Sequence, residues 1–253
     1  MRKPSLKKTI LVMHGDKGGV GKSTTAALGA DWLRRQFGSV VVVEGDETIF
    51  DVAPRFDGVP GVTTLAVDLA RPDMSEDAIV ALLGEIERAG GDSHIVINTP
   101  ASASKTLDAQ ADLIAPTLAD MGYDLLVAWM VDVGEDSAVL SQSSKLCALA
   151  THKIAIRNER LKPADRLPWQ THPARDAWLA SGGIEGILPG LTERVAAKIR
   201  GINNVPFSDL INDQRLTIVE RQAVKRWVNN AWSSAIEPLY RVALADDQEV
   251  INE

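Results

Sequence analysis

The sequence predicts a P-loop α/β fold: a doubly wound, mostly parallel sheet with helices on both faces. Three observations predict it. Apolar runs alternate along the chain with stretches of helical periodicity. Those runs are continuously apolar, as in strands buried on both faces. The first of them, Thr9-Ile10-Leu11-Val12-Met13, leads into a glycine-rich loop and then a helix-like stretch, Ser23 to Phe37.

The remaining elements follow in order. Gly38 stops the first helix, and Val40-Val41-Val42-Val43 is the next strand. A helix starts at Ser75, with Ile79, Leu82, Leu83 and Ile86 on one face at i, i+3, i+4, i+7. His94 to Asn98 is a strand ending at Thr99-Pro100. Leu107, Ala111, Ile114 and Leu118 mark one helix, with Pro116 as a kink or early stop. Leu125 to Val131 is a strand, Ser137 to Ala150 one helix, and Lys153 to Arg157 another strand. After a Pro- and Trp-rich stretch with a short helix near Ala174 to Ala180, Ile184 to Leu188 is a late strand. Helical patterns then cover Thr192 to Arg200 and Leu216 to Tyr240. We read residues 1–253 as a single P-loop domain, with an insertion at about 161–191 and a frayed acidic tail at 243–253.

The chemistry concentrates in Lys17-Gly18-Gly19-Val20-Gly21-Lys22-Ser23-Thr24. Glycines let successive backbone N–H groups turn inward around phosphate oxygens without a Cβ clash. The helix N-terminus adds partial positive charge. Lys22 can reach the β- and γ-phosphates, and the Ser23 hydroxyl can ligate Mg²⁺.

With Lys17 before the glycine pair, the loop matches the deviant Walker A pattern and resembles the ParA/MinD superfamily. That resemblance implies ATP and Mg²⁺ as cofactors, slow hydrolysis of ATP to ADP and phosphate, and an ATP-dependent homodimer. It implies that Lys17 reaches the phosphates of the partner subunit. It gives Asp46, in the strand end Glu44-Gly45-Asp46, the task of orienting the attacking water beside the metal; Glu44 replaces the first Asp of the family pattern. The Walker B position falls on Asn98, within Asn98-Thr99-Pro100-Ala101. An amide there offers one oxygen and no charge, so metal affinity and hydrolysis should both weaken. Asn158, after the strand ending at Arg157, matches the family's base-recognising Asn, and Val205-Pro206-Phe207 the segment lying against the base. The catalytic set is then Lys17, Lys22 and Asp46, and the metal set Ser23, Asp46 and Asn98.

Composition bounds the partners. The balance of 27 basic and 34 acidic residues gives a net charge of −7, which argues against wholesale coating of nucleic acid but allows a local basic face. Arg215, Arg221, Lys225 and Arg226 form such a face near Trp227 and could meet DNA phosphates non-specifically. An adaptor or DNA-binding partner protein is the other expected contact. No apolar run approaches the roughly 20 residues of a spanning helix, and the tail Asp246-Asp247-Gln248-Glu249 is acidic, so a cytoplasmic protein without membrane targeting is expected. The single Cys147 rules out an intrachain disulfide and disfavours an iron–sulfur reductase. The stretch from Leu161 to Leu191 looks like the StbB- and TraL-type proteins of plasmids, which points to plasmid partition, positioning or conjugative transfer. Two alternatives remain: a nucleotide-binding scaffold with little hydrolysis, favoured by Asn98, and an ATP-dependent synthetase on the same fold, disfavoured by Lys17.

Overall fold

In the computed structural model, residues 7–47 and 50–251 are described, the last six as helical backbone alone. The expected basic start at 1–6 and the side chains of the acidic tail at 246–253 lie outside the described residues. Among the described residues, seven strands form one sheet: β1 (Lys8–His14), β2 (Val40–Glu44), β3 (Val62–Ala66), β4 (His94–Asn98), β5 (Tyr123–Val131), β6 (His152–Asn158) and β7 (Ile184–Leu188). Their order is β3-β2-β4-β1-β5-β6-β7 and every pairing is parallel. The sheet is therefore wholly parallel, and β1 lies at its centre.

Both faces are covered because alternate strand residues feed two separate cores. Leu11, Met13, Val42, Leu126, Met130, Ile154 and Ile156 face one core. Ile10, Val12, Val41, Val43, Leu125, Val127 and Trp129 face the other. The first core is closed by α1 (Lys22–Phe37), α9 (Glu193–Arg200), α10 (Ile218–Ala231) and α11 (Glu237–Ile251), with the short α2 (Ala53–Phe56) packed in through Phe56. The second is closed by α3 (Ser75–Ala89), α4 (Ala103–Ala109), α5 (Ala111–Asp120), α6 (Asp136–Ser143), α7 (Lys145–Leu149) and α8 (Pro173–Ala180).

Three expected helices are divided. The one anticipated through Leu107 and Leu118 breaks at Gln110, which leaves helical geometry with φ −111°. Pro116 neither kinks it short nor stops it: α5 continues to Asp120, and the Thr117 hydroxyl bonds the Leu113 carbonyl at 2.7 Å. The helix expected from Ser137 to Ala150 breaks at Ser144, whose extended backbone lets its side chain accept from the Cys147 N–H at 3.2 Å and cap α7. The C-terminal helix is interrupted by a π-helical turn at Trp232–Ile236 just before Pro238, which has no N–H to offer a regular ladder. That turn sits on β7, where a side chain at Gly186 would meet the Ser234 carbonyl at 2.8 Å.

The segment at 161–191 is packed into the second core by the buried Trp169 and Trp178. Glu185 on β7 accepts from the Trp169 indole at 2.8 Å and pairs with Arg175 at 2.7 Å. Cys147 is buried, and burial pushes its thiol up to about 12, which keeps it unreactive.

Candidate functional site

Parallel strands gather their carboxyl ends along one edge, and the order of this sheet reverses around β1. The loop between β1 and α1 lies there. Gly19 and Gly21 take φ of +75° and +110°, values that glycine adopts without strain. Gly21 also lies against Asn158, where a Cβ would sit 2.5 Å from the amide nitrogen.

Lys22 opens α1 and is 94% buried, being only 6% exposed. Its ammonium donates to the carbonyls of Gly15 at 2.9 Å and Lys17 at 2.7 Å. Burial pushes it down to about 8, against a small opposing pull from Asp16. Lys17 stands at the rim, its side chain 42% exposed, paired with Asp132 at 3.0 Å and Asp136 at 3.2 Å. These partners, Asp132 foremost, raise its pKa.

A cavity of about 310 Å³ is lined by the loop from Gly18 to Thr24 together with Asp46, Asp51, Asn98 and Arg160. Ser23 donates from its hydroxyl to Asp51 at 3.0 Å. Asn98, at the end of β4, donates from its amide to Glu44 at 2.7 Å, while its own carbonyl oxygen is buried without a protein partner. Glu44 is fully buried; its other oxygen accepts from the backbone N–H groups of Val52 and Ala53. The longer reach of Glu over Asp is used here to hold the start of α2. Every donor in this lining that could meet a metal is an oxygen, which fits a hard dication such as Mg²⁺.

Through Gly21, Ser23, Thr24, Asp51 and Arg160 this cavity continues into a second one of about 390 Å³. Its apolar walls include Ala27, Leu188, Leu191, Phe207 and Trp227, and Arg55, Asn158 and Arg200 join the shared Asp51 and Arg160 as polar groups. Phe207 meets Trp227 edge-on at 5.1 Å, and the Arg55 guanidinium stacks 3.9 Å from the Phe207 ring centre. Arg55 is held by the carbonyls of Val205 at 3.0 Å and Ile199 at 2.9 Å, and burial pushes it down to about 10. Asp31 on α1 fixes the same loop by accepting from the Ser208 N–H at 2.7 Å. Phe207, rather than the buried Pro206, lines this cavity.

Asn158 is 3% exposed, and its amide is engaged within the protein: it donates to the Val20 carbonyl at 2.9 Å and accepts from the Arg160 N–H at 3.0 Å. It thus ties β6 to the glycine loop. Motif reading did not single out Asp51, Arg55 or Arg160. Asp51 and Arg55 come from a segment without a recognisable spacing, and Arg160 carried only its nearness to Asn158 as a signal.

The basic stretch from Arg215 into α10 is uneven. Arg215 forms a two-pronged pair with Asp213, at 2.9 and 2.5 Å, which offsets its charge. Lys225 and Arg226 are exposed and Arg221 half-buried. Ile218 and Val219, the first two residues of α10, stand 70% and 78% exposed. No helix of the described residues is long and apolar enough to cross a membrane.

No family model matches the chain. Among curated proteins it is similar to protein MobD of Acidithiobacillus ferrooxidans, 25% identical over 225 residues, 88% of this chain and 95% of that one. Among solved structures it is similar to a chain of the MinC:MinD cell division protein complex of Aquifex aeolicus (TM-score 0.44, 17% identity, 90% of this chain and 97% of that chain). It is likewise similar to the MinD cell division protein of that organism (TM-score 0.43, 17% identity, 90% and 98%).

Proposed function

We propose that this chain is an ATP-dependent, dimerising ATPase of the ParA/MinD type with slow turnover, acting in plasmid partition, positioning or conjugative transfer. The observation that carries the reading is the continuity of the two cavities. One is ringed by the glycine loop, Lys22 and Arg160, as a polyphosphate requires; the other has apolar and aromatic walls, as a base requires. Lys17, 42% exposed at the rim, exchanges Asp132 and Asp136 for the partner subunit's nucleotide and supplies the dimer contact. The plasmid setting rests on the resemblance of the 161–191 segment. DNA contact falls to Lys225, Arg226 and Arg221, doubled in number by dimerisation, with Arg215 contributing less because of Asp213.

A second reading, a nucleotide-binding scaffold with little hydrolysis, is favoured by the Asn98–Glu44 bond. Steady-state phosphate release separates the two, measured with Mg²⁺ for the natural chain and for Asn98→Asp, each with and without duplex DNA. Restoring a carboxylate beside Glu44 places two acidic groups together, a repulsion that a dication relieves. Turnover of Asn98→Asp should rise by up to about 10²- to 10³-fold. Equal or lower turnover would show that position 98 does not serve the metal. A natural chain that releases no phosphate under any of these conditions is a scaffold, and indifference to DNA at low salt would remove DNA from the reading.

A further inference from the structure

We infer that Asp51 supplies the carboxylate for the divalent cation bound with the nucleotide, the part that Asn98 is not equipped to play. The inference rests on the nucleotide reading above. Such a cation takes one or two protein oxygens and fills the rest of its shell with phosphate oxygens and water. Ser23, the loop hydroxyl suited to ligate it, already has the Asp51 carboxylate at 3.0 Å. Both residues line the phosphate cavity.

Asp46 lines the same cavity, so the experiment below sets it against Asp51; Glu44 is placed differently. Glu44 is fully buried and uses one oxygen on the N–H groups of Val52 and Ala53 and the other on the Asn98 amide. Its bond to Val52 fixes the residue directly after Asp51, so the Asn98–Glu44 pair holds the loop that presents Asp51. A second, independent sign of a ligand is the Asn98 carbonyl oxygen. This is the side-chain amide oxygen, on a residue only 6% exposed that lines the cavity, and it accepts from no protein group, whereas the backbone carbonyl of Asn98 accepts from the Gly45 N–H at 2.8 Å. A buried acceptor of this kind is suited to a donor brought by the ligand, such as a metal-bound water.

The test measures the affinity of a fluorescent ATP analogue with Mg²⁺ and with a chelator, for the natural chain, Asp51→Asn, Asp46→Asn and the double variant Asp51→Asn with Asn98→Asp. Mn²⁺ signal in electron paramagnetic resonance provides a direct metal readout. Asp51 is exposed, so its substitution leaves both cores untouched. Mg²⁺ should tighten binding to the natural chain, and Asp51→Asn should lose that enhancement by on the order of tenfold, the worth of one charge-assisted contact. Its affinity without metal should be unchanged or higher, because one negative charge is gone from beside the phosphates. Adding Asn98→Asp should restore metal dependence. Full metal dependence in Asp51→Asn, or its loss in Asp46→Asn alone, would overturn the assignment to Asp51. A natural chain that binds no ATP with or without metal would instead overturn the nucleotide reading itself.

Discussion

Lys22→Ala should lose ATP affinity by about 100-fold or more. A lysine that bonds two phosphates makes charge-assisted contacts of about 1.5–3 kcal/mol each, and alanine makes none. The structure adds a pH signature. Burial holds the Lys22 ammonium down to about 8, so above that pH the free protein increasingly carries it neutral. Bound phosphates favour the charged form, so binding above pH 8 must take up a proton. Affinity should therefore stay level below pH 8 and weaken as pH rises beyond it, with the dependence absent in Lys22→Ala. Calorimetry in buffers of different ionisation enthalpy measures that proton directly. The stability linkage has the same origin. The lowered folded-state pKa means that the unfolded chain binds more protons between about 8 and 10.5, so this group makes stability rise with pH across that window. An affinity for ATP that is insensitive to Lys22→Ala would place the phosphates elsewhere.

Gly21→Ala should be the most damaging small substitution in the loop. Its φ of +110° strains any L side chain, at about 1–3 kcal/mol. The new Cβ would stand 2.5 Å from the Asn158 amide nitrogen and 3.3 Å from Leu188. Asn158 must then release the Val20 carbonyl, leaving buried polar groups unpaired at about 1–3 kcal/mol. The total, about 2–6 kcal/mol, lowers the melting temperature by on the order of 10 °C for a chain of this size. Gly19→Ala is the control. It has a positive φ as well, but nothing lies within 4 Å of the added Cβ, so it should pay for strain alone. Thermal unfolding that finds the two variants alike would show that the Asn158 contact does not hold the loop.

Much of this was legible in the chain because parallel strands buried on both faces must be apolar throughout. β1, β2, β4, β5 and β6 each read that way, and the glycine loop marked where the sheet reverses. β3 was not legible. It is an edge strand, Val-Thr-Thr-Leu-Ala, exposed at three of its five positions, and such a strand carries neither a continuous apolar run nor a clean alternation. Helix breaks were also hidden. Ser144 leaves helical geometry to cap α7, and its hydroxyl bonds Asp108 at 2.8 Å, a tertiary partner that local pattern does not reveal. The glycine loop, Asp46 and Asn98, which the family resemblance singled out, line one cavity. Asp51, Arg55 and Arg160 enter the same region through folding, and the partnership of Asn98 with Glu44 depends on β2 and β4 lying side by side in register. The pairing of Arg215 with Asp213, two residues away, offsets one charge of the basic cluster, which a reading of like charges alone does not show.

The central claim is that ATP joins two copies of this chain through Lys17. The most direct measurement is the mass in solution by light scattering with ATP and Mg²⁺, with a non-hydrolysable analogue, and with ADP. ATP and the analogue should double the single-chain mass and ADP should leave it unchanged. Lys17→Ala should stay at the single-chain mass while still binding nucleotide, since the Lys17 side chain is 42% exposed at the rim. A single-chain mass for the natural protein under all three nucleotides, at concentrations where the analogue saturates the site, would contradict the account.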